Sequence, residues 1–134
     1  MEDFKKFEPR KAAYVAALCM LLSIALHILV ILGKLSHTEI NGGRIETYET
    51  TAMISYINIA ALAVFIVVFL FGAGIIPTKQ SKTSNMVLKV IVWAATGCLA
   101  ISALFSFFGT NTDIFLFGML SAMTVYCGVR IAIE

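Results

Sequence analysis

The segment Ala12–Gly33, AAYVAALCMLLSIALHILVILG, contains no charged residue. A helix rises 1.5 Å per residue, so about 20 apolar residues cross a bilayer core of about 30 Å. Three further apolar segments follow: Thr51–Ile76, Val87–Phe108 and Ile114–Ile133. The sequence therefore predicts four membrane-spanning helices over 12–33, 51–76, 87–108 and 114–133.

The composition favours lipid as the surroundings of these helices. Hydrophobic residues make up 60% of the 134 residues, and the mean hydropathy is +0.92. A chain this short cannot cover four such helices with polar surface, and none of the segments alternates in polarity as the strands of a membrane barrel do. We expect an all-α membrane protein, with residues 1–134 forming a single antiparallel up-down four-helix transmembrane bundle.

The basic residues predict the orientation of the bundle, because Lys and Arg near span ends concentrate on the cytoplasmic side. On this count the tail 1–11, the loop 77–86 and the C-terminus are cytoplasmic, and the loop 34–50 lies outside. We expect a plasma (inner) membrane protein with both termini cytoplasmic. The cytoplasmic side then holds Lys5, Lys6, Arg10, Lys11, Lys79, Lys82, Lys89 and Arg130, and the outer side only Lys34 and Arg44.

The connections differ in length and character. Gly109–Asp113 is a short turn, which predicts that the third and fourth helices pack together as neighbours. Pro77 is expected to end the second span. In the outer loop, Asn41 and two glycines predict a turn. The loop either forms a small hairpin over Ser36–Thr47 or extends the second helix from Arg44 onward, and the spacing of Glu46, Glu49 and Tyr56 favours the extension.

Small residues in the last two spans predict close helix packing. Gly118 and Ala122 are four residues apart, as are Ser102 and Ser106, and such spacing lets helix backbones approach closely in lipid. The stripes suit packing within the chain, and a homodimer or another membrane protein is the alternative use. The bilayer itself is the expected partner in either case.

The cysteines and histidines do not form a metal or haem pattern. Cys19, Cys98 and Cys127 lie in three different spans and are expected to be packing residues. His27 lies in a span and His37 in the outer loop, so no histidine pair is available at one depth. We expect no cofactor. The net charge of +2 is divided among separate segments, so no nucleic-acid partner is expected.

A layer of polar residues is predicted in the outer half of the bundle. His27 and Asn58 interrupt apolar stretches at about the same depth, and Ser102 reaches a similar height. A polar side chain at that depth must find a partner or contact water. The candidate binding residues at this level and above it are His27, Asn58, Ser55, Glu49, Tyr56 and Ser102.

Two interpretations of this layer remain open. The first is an interhelical hydrogen bond of His27 with Asn58 or a serine, which fixes helix register only. The second is a pocket in which His27, a residue that titrates near neutral pH, binds a small or lipid-like ligand. No catalytic motif is present. Binding or transport therefore ranks first, an accessory subunit of a membrane complex second, and an enzyme third.

Overall fold

A computed structural model describes residues 2–35, 47–78, 81–111 and 113–134 of the chain. The described residues are almost entirely helical, and they contain no strand. The helices in chain order are α1 (Glu2–Lys6), α2 (Pro9–Ile31), α3 (Tyr48–Gly72), α4 (Lys82–Phe107), a π-helical segment (Asp113–Gly118) and α5 (Met119–Ala132).

Four of these helices are long and apolar enough to cross a membrane. They are α2, α3, α4 and the continuous helix Ile114–Ala132, which consists of residues 114–118 of the π-helical segment followed by α5. At 1.5 Å per residue they measure roughly 28 to 39 Å, close to or above the thickness of a bilayer core. The fold is an all-helical arrangement with four candidate spans, as the apolar segments indicate.

The ends of α2 and α3 are fixed by the same glycine cap. Gly33 and Gly74 adopt positive φ angles of 71° and 68°, and the amide of each donates to the carbonyl three residues earlier. The following amide, of Lys34 or Ile75, donates to the carbonyl five residues earlier, which completes a Schellman motif. The helix α3 therefore ends at Gly72, ahead of Pro77, because Gly74 allows the chain to leave the helix first.

The beginnings of the spans show why each helix starts where it does. Pro9 occupies the first turn of α2, where its missing N–H costs no hydrogen bond. Thr47 and Ser81 cap α3 and α4 by accepting hydrogen bonds from Thr50 and Ser84. The predicted turn and extension over residues 36–46 lie outside the described residues, and α3 begins at Tyr48.

The helix α2 supplies the central face of the core. Its buried residues recur every three or four positions, which is the period of one helix face. Small side chains on that face let α2 approach both α3 and α5, its two principal neighbours. The buried residues of α2 are Ala12, Ala13, Ala16, Cys19, Met20, Ser23, His27 and Val30.

The two ends of the bundle are named here after the two ends of α2. At the end where α2 begins, here called the Pro9 end, Gly72 of α3 and Glu134 border the same pocket as Pro9. At the other end, here called the Ile31 end, the Tyr48 hydroxyl donates a hydrogen bond to the carbonyl of Ile31. This bond ties the last turn of α2 to the first turn of α3.

The helices α4 and α5 approach each other closely at Gly128. A Cβ added to Gly128 would lie 2.5 Å from the Thr96 hydroxyl and 2.8 Å from the ring of Phe69. Three helices therefore meet at a residue without a side chain. The Thr96 hydroxyl donates to the carbonyl of Val92 in its own helix, so it brings no unsatisfied polar group to this contact.

Arg130 joins the two terminal segments of the chain. Its side chain is buried, and its guanidinium donates to the carbonyl oxygens of Phe7 at 2.6 Å and Lys5 at 3.1 Å. It also pairs with the Glu134 carboxylate at 3.0 Å. Arg130 therefore caps the end of α1 as well as carrying a positive charge.

We predict that Gly128→Ala destabilises the protein by about 1–3 kcal/mol, because the methyl group must displace Thr96 and Phe69. The matched control is Gly97→Ala on α4, where an added Cβ meets no atom within 4 Å. That variant should unfold at the same or a higher denaturant concentration, since alanine favours helix over glycine. Denaturant titration in bicelles measures both, and equal effects would contradict the predicted close contact.

We predict that Arg130→Gln releases α1 from the bundle. The substitution removes charge-assisted hydrogen bonds worth about 1.5–3 kcal/mol each, so the backbone amides of residues 2–7 should exchange with deuterium faster. Arg10→Gln, at an exposed position of α2, removes the same charge and should leave the exchange unchanged. Similar exchange in both variants would show that Arg130 does not hold α1.

Candidate functional site

Most buried hydroxyl groups of the spans are satisfied within their own helix. Ser23, Thr51, Thr96 and Thr124 each donate to the carbonyl four residues earlier. This pattern removes the cost of placing a hydroxyl in an apolar region. These residues therefore behave as packing residues despite their polarity.

His27 and Ser55 form the exception, because their hydrogen bond joins two helices. The His27 Nδ1 and Ser55 Oγ atoms are 3.3 Å apart, linking α2 to α3. Both side chains are buried, with His27 6% exposed and Ser55 fully covered. The ring of Phe117 lies 4.9 Å from the His27 ring, centroid to centroid. One face of the imidazole is thus apolar while its Nδ1 edge is polar.

A cavity of about 320 Å³ lies beside His27, and all four spans contribute to its wall. Ligand sites in proteins commonly measure about 300–1,000 Å³ and combine apolar walls with a few polar groups. The polar side chains of this wall are Ser23, His27, Asn58, Cys98, Ser102, Ser106 and Ser121. The apolar ones are Ala61, Leu62, Phe65, Leu99 and Phe117.

We infer that the cavity opens where α3 and α4 face each other, because its exposed lining residues lie on α4 and the half-buried Asn58 lies on α3. These two helices share a smaller interface than α4 shares with α5, and near the Pro9 end they meet where Gly72 approaches Val92. Nearer the Ile31 end, the cavity separates them. Cys98 and Ser102 line it and are exposed, so they mark its mouth on α4.

Several polar groups in the wall have no hydrogen-bond partner among the described residues. These groups are the amide of Asn58 and the hydroxyl groups of Ser102, Ser106 and Ser121. Ser102 is exposed at the mouth, and the other three residues are half-buried. His27 lines the cavity, whereas Ser55, its partner at Nδ1, does not; the second ring nitrogen, Nε2, is therefore left for another partner. Polar groups at such depth are stabilised only by a bound polar group or by water.

The structure brings three of the predicted site residues together and places a fourth beside them. His27, Asn58 and Ser102 line one cavity, and Ser55 bonds His27 from behind its wall. Glu49 and Tyr56 are not among the lining residues. Glu49 is exposed in the first turn of α3, and Tyr56 is 60% exposed on the outer surface of the same helix.

Other residues of the wall are not predicted as binding residues from the sequence. Phe117 lines the cavity from the π-helical segment. Such a segment cannot be predicted from the spacing of apolar residues in the sequence. Cys98 and Phe65 resemble ordinary packing residues until the gap between α3 and α4 is known. Ser23 is the most readable of them, since it precedes His27 by one helical turn and so shares its face.

The chemistry that these groups offer is hydrogen bonding without charge. The described lining residues contribute an imidazole, an amide, four hydroxyls and a thiol, with no carboxylate or ammonium. Among the described residues, no group of three or more His, Cys, Asp or Glu side chains is placed to hold a metal ion. The site is therefore suited to a ligand that presents hydroxyl, carbonyl or amide groups.

Comparison with known proteins yields no relative: no protein-family model, curated protein or solved structure matches the chain. What the protein does must therefore be inferred from the cavity, the buried histidine and the apolar surface.

We predict that Ser55→Ala destabilises the protein by about 0.6 kcal/mol and by no more than about 1.7 kcal/mol, the range measured for interhelical hydrogen bonds in membranes. Ser23→Ala is the matched control, because its hydroxyl bonds only its own helix and its loss should cost less. Denaturant titration in bicelles compares the two. A larger loss for Ser23→Ala would contradict the assignment of the interhelical bond.

Proposed function

We propose that the chain is a multi-pass integral membrane protein that binds or transports a small or lipid-like ligand through the cavity beside His27. In this proposal the chain is an antiparallel up-down bundle in the plasma (inner) membrane, with both termini cytoplasmic. The Ile31 end is then the outer end, and the cavity lies in the outer half of the bundle.

The distribution of charge supports this orientation. Basic residues cluster at the Pro9 end, where Arg10, Lys11 and Lys82 belong to the first turns of α2 and α4 and Lys89 lies two turns into α4. Lys34 is the basic residue that directly follows α2 at the other end. The positive-inside rule therefore assigns the Pro9 end to the cytoplasm, where anionic lipid head groups supply the counter-charge.

The observation that carries the proposed activity is the buried imidazole at the cavity wall. An interhelical bond alone requires only the Nδ1 edge of His27, which Ser55 already satisfies. The Nε2 edge, the Asn58 amide and the Ser102 hydroxyl are additional polar groups around one space. A purely structural site has no need for them, since the imidazole edge and the Asn58 amide each add a cost of burial without a bond within the protein.

An accessory role in a membrane complex, as a homodimer or with another membrane protein, is the second candidate. It is favoured by α3, on which only Thr51, Ser55 and Phe69 are buried among 25 residues. Such a helix offers a long side surface to a partner chain, and the mouth of the cavity lies beside it. Recovery of a stoichiometric partner, or of a stable dimer, from mild detergent would favour this role over ligand binding.

The test is to purify the protein in mild detergent and identify any retained small molecule or lipid by mass spectrometry. We expect one species to be enriched over the bulk lipid and to be lost at least tenfold in a His27→Ala, Asn58→Ala double variant. That variant removes two polar groups from the wall and enlarges the cavity, so a loss of the bound species cannot result from a blocked site.

Tyr56→Ala serves as the control, because Tyr56 lies on the same helix as Asn58 and faces outward. It should retain the bound species in full. Circular dichroism and gel filtration establish that all variants remain folded. A folded double variant that retains the species at the original level would refute the proposed site.

A further inference from the structure

We infer that the ligand is an electrically neutral single-chain amphiphile that enters sideways from the bilayer between α3 and α4. Its hydroxyl- or carbonyl-bearing head lies beside His27, and its hydrocarbon chain extends into the lipid. This inference rests on the proposed binding function and adds the class of ligand and its route of entry.

The absence of charge in the described wall determines the charge of the head group. A charged head brought to this depth would need an opposite charge, because burial of an unpaired ion costs several kcal/mol. The lining side chains provide hydrogen-bond donors and acceptors only. A hydroxyl, ester or amide head can bond to Nε2 of His27 and to the Asn58 amide without that penalty.

The size of the cavity determines how much of the ligand it holds. A volume of about 320 Å³ corresponds to about ten water-sized units of about 30 Å³ each. It accommodates a small head group and the first few carbons of a chain, but not a whole lipid. The rest of the chain must therefore leave the cavity through an opening.

The mouth between α3 and α4 is suited to this exit. Cys98 and Ser102 are exposed there, and on α3 the lining changes from Asn58 to Leu62 and Phe65 with increasing depth. The polar head thus has partners toward the Ile31 end, while the chain meets apolar side chains. Since the mouth faces sideways from the bundle, it faces lipid when the four helices span a membrane.

The experiment measures binding of three probes to the protein in nanodiscs. Each carries the same photoreactive alkyl chain, with a glycerol ester, a sulfate or a trimethylammonium head. We expect the glycerol ester to label the protein saturably and to be displaced by unlabelled monoacylglycerol. The two charged probes should label at least tenfold less at equal membrane concentration. Equal labelling by a charged probe would overturn the inferred class of ligand.

A bulky residue at the mouth tests the route. Cys98→Trp should reduce labelling by the glycerol ester at least tenfold while leaving His27 and Asn58 unchanged. Leu104→Trp on the same helix is the control, since Leu104 is 59% exposed and does not line the cavity. It should label as the unmodified protein does.

The outcomes separate this inference from the proposed function. Full labelling of Cys98→Trp, together with loss of labelling in the His27→Ala, Asn58→Ala variant, would overturn sideways entry and leave the binding site in place. Displacement of the probe by free glycerol as effectively as by monoacylglycerol would overturn the amphiphile and leave a small polar ligand. Unsaturable labelling of every variant would overturn both.

Discussion

For four helices long and apolar enough to span a bilayer, the scarcity of hydrogen-bond partners in lipid is the constraint on which the rest of the structure depends. Water is absent there, so every buried polar group must be satisfied by the protein or by a ligand. The spans meet this constraint in two ways. Ser23 and Thr124 bond their own helices, whereas His27 and Ser55 bond each other across the interface of α2 and α3. The second way also fixes how these two helices align.

The same constraint gives the cavity its significance. Apolar voids in proteins stay empty at a modest cost, but a void bordered by an amide and several hydroxyls attracts water or ligand. The wall near Asn58 and Ser102 is of the second kind. The unpaired polar groups of this wall therefore either lower the stability of the protein or are satisfied by a ligand bound in the membrane. The variants of His27 and Asn58 distinguish these two cases.

Much of the architecture can be predicted from sequence, because a helix that contacts lipid requires a long and nearly uninterrupted apolar segment. A helix such as α3 must be apolar on nearly every face, so its existence follows from composition and its length from the apolar run. That His27 and Asn58 lie near one level of the bundle follows from the helical rise, and both residues line the same cavity. The end of α3 cannot be predicted in this way. Pro77 is the more obvious residue to end a helix, but Gly74 adopts a positive φ angle and ends α3 earlier.

The parts that sequence reasoning misses depend on which helix faces which. Glu49 and Tyr56 share a helix with Asn58, yet rotation about the helix axis turns them away from the cavity. Arg130 shows a second limit of sequence reasoning. In the sequence it is one of the basic residues that predict the orientation of the spans, whereas its bonds to the carbonyls of Lys5 and Phe7 give it a structural role. The bonds of Arg130 and the close contacts of Gly128 join helices outside the cavity, whereas α3 and α4 both line the cavity near Ser102. Close packing in one part of the bundle is thus compatible with an open site in another, since a gap between two helices persists only where other contacts hold them in place.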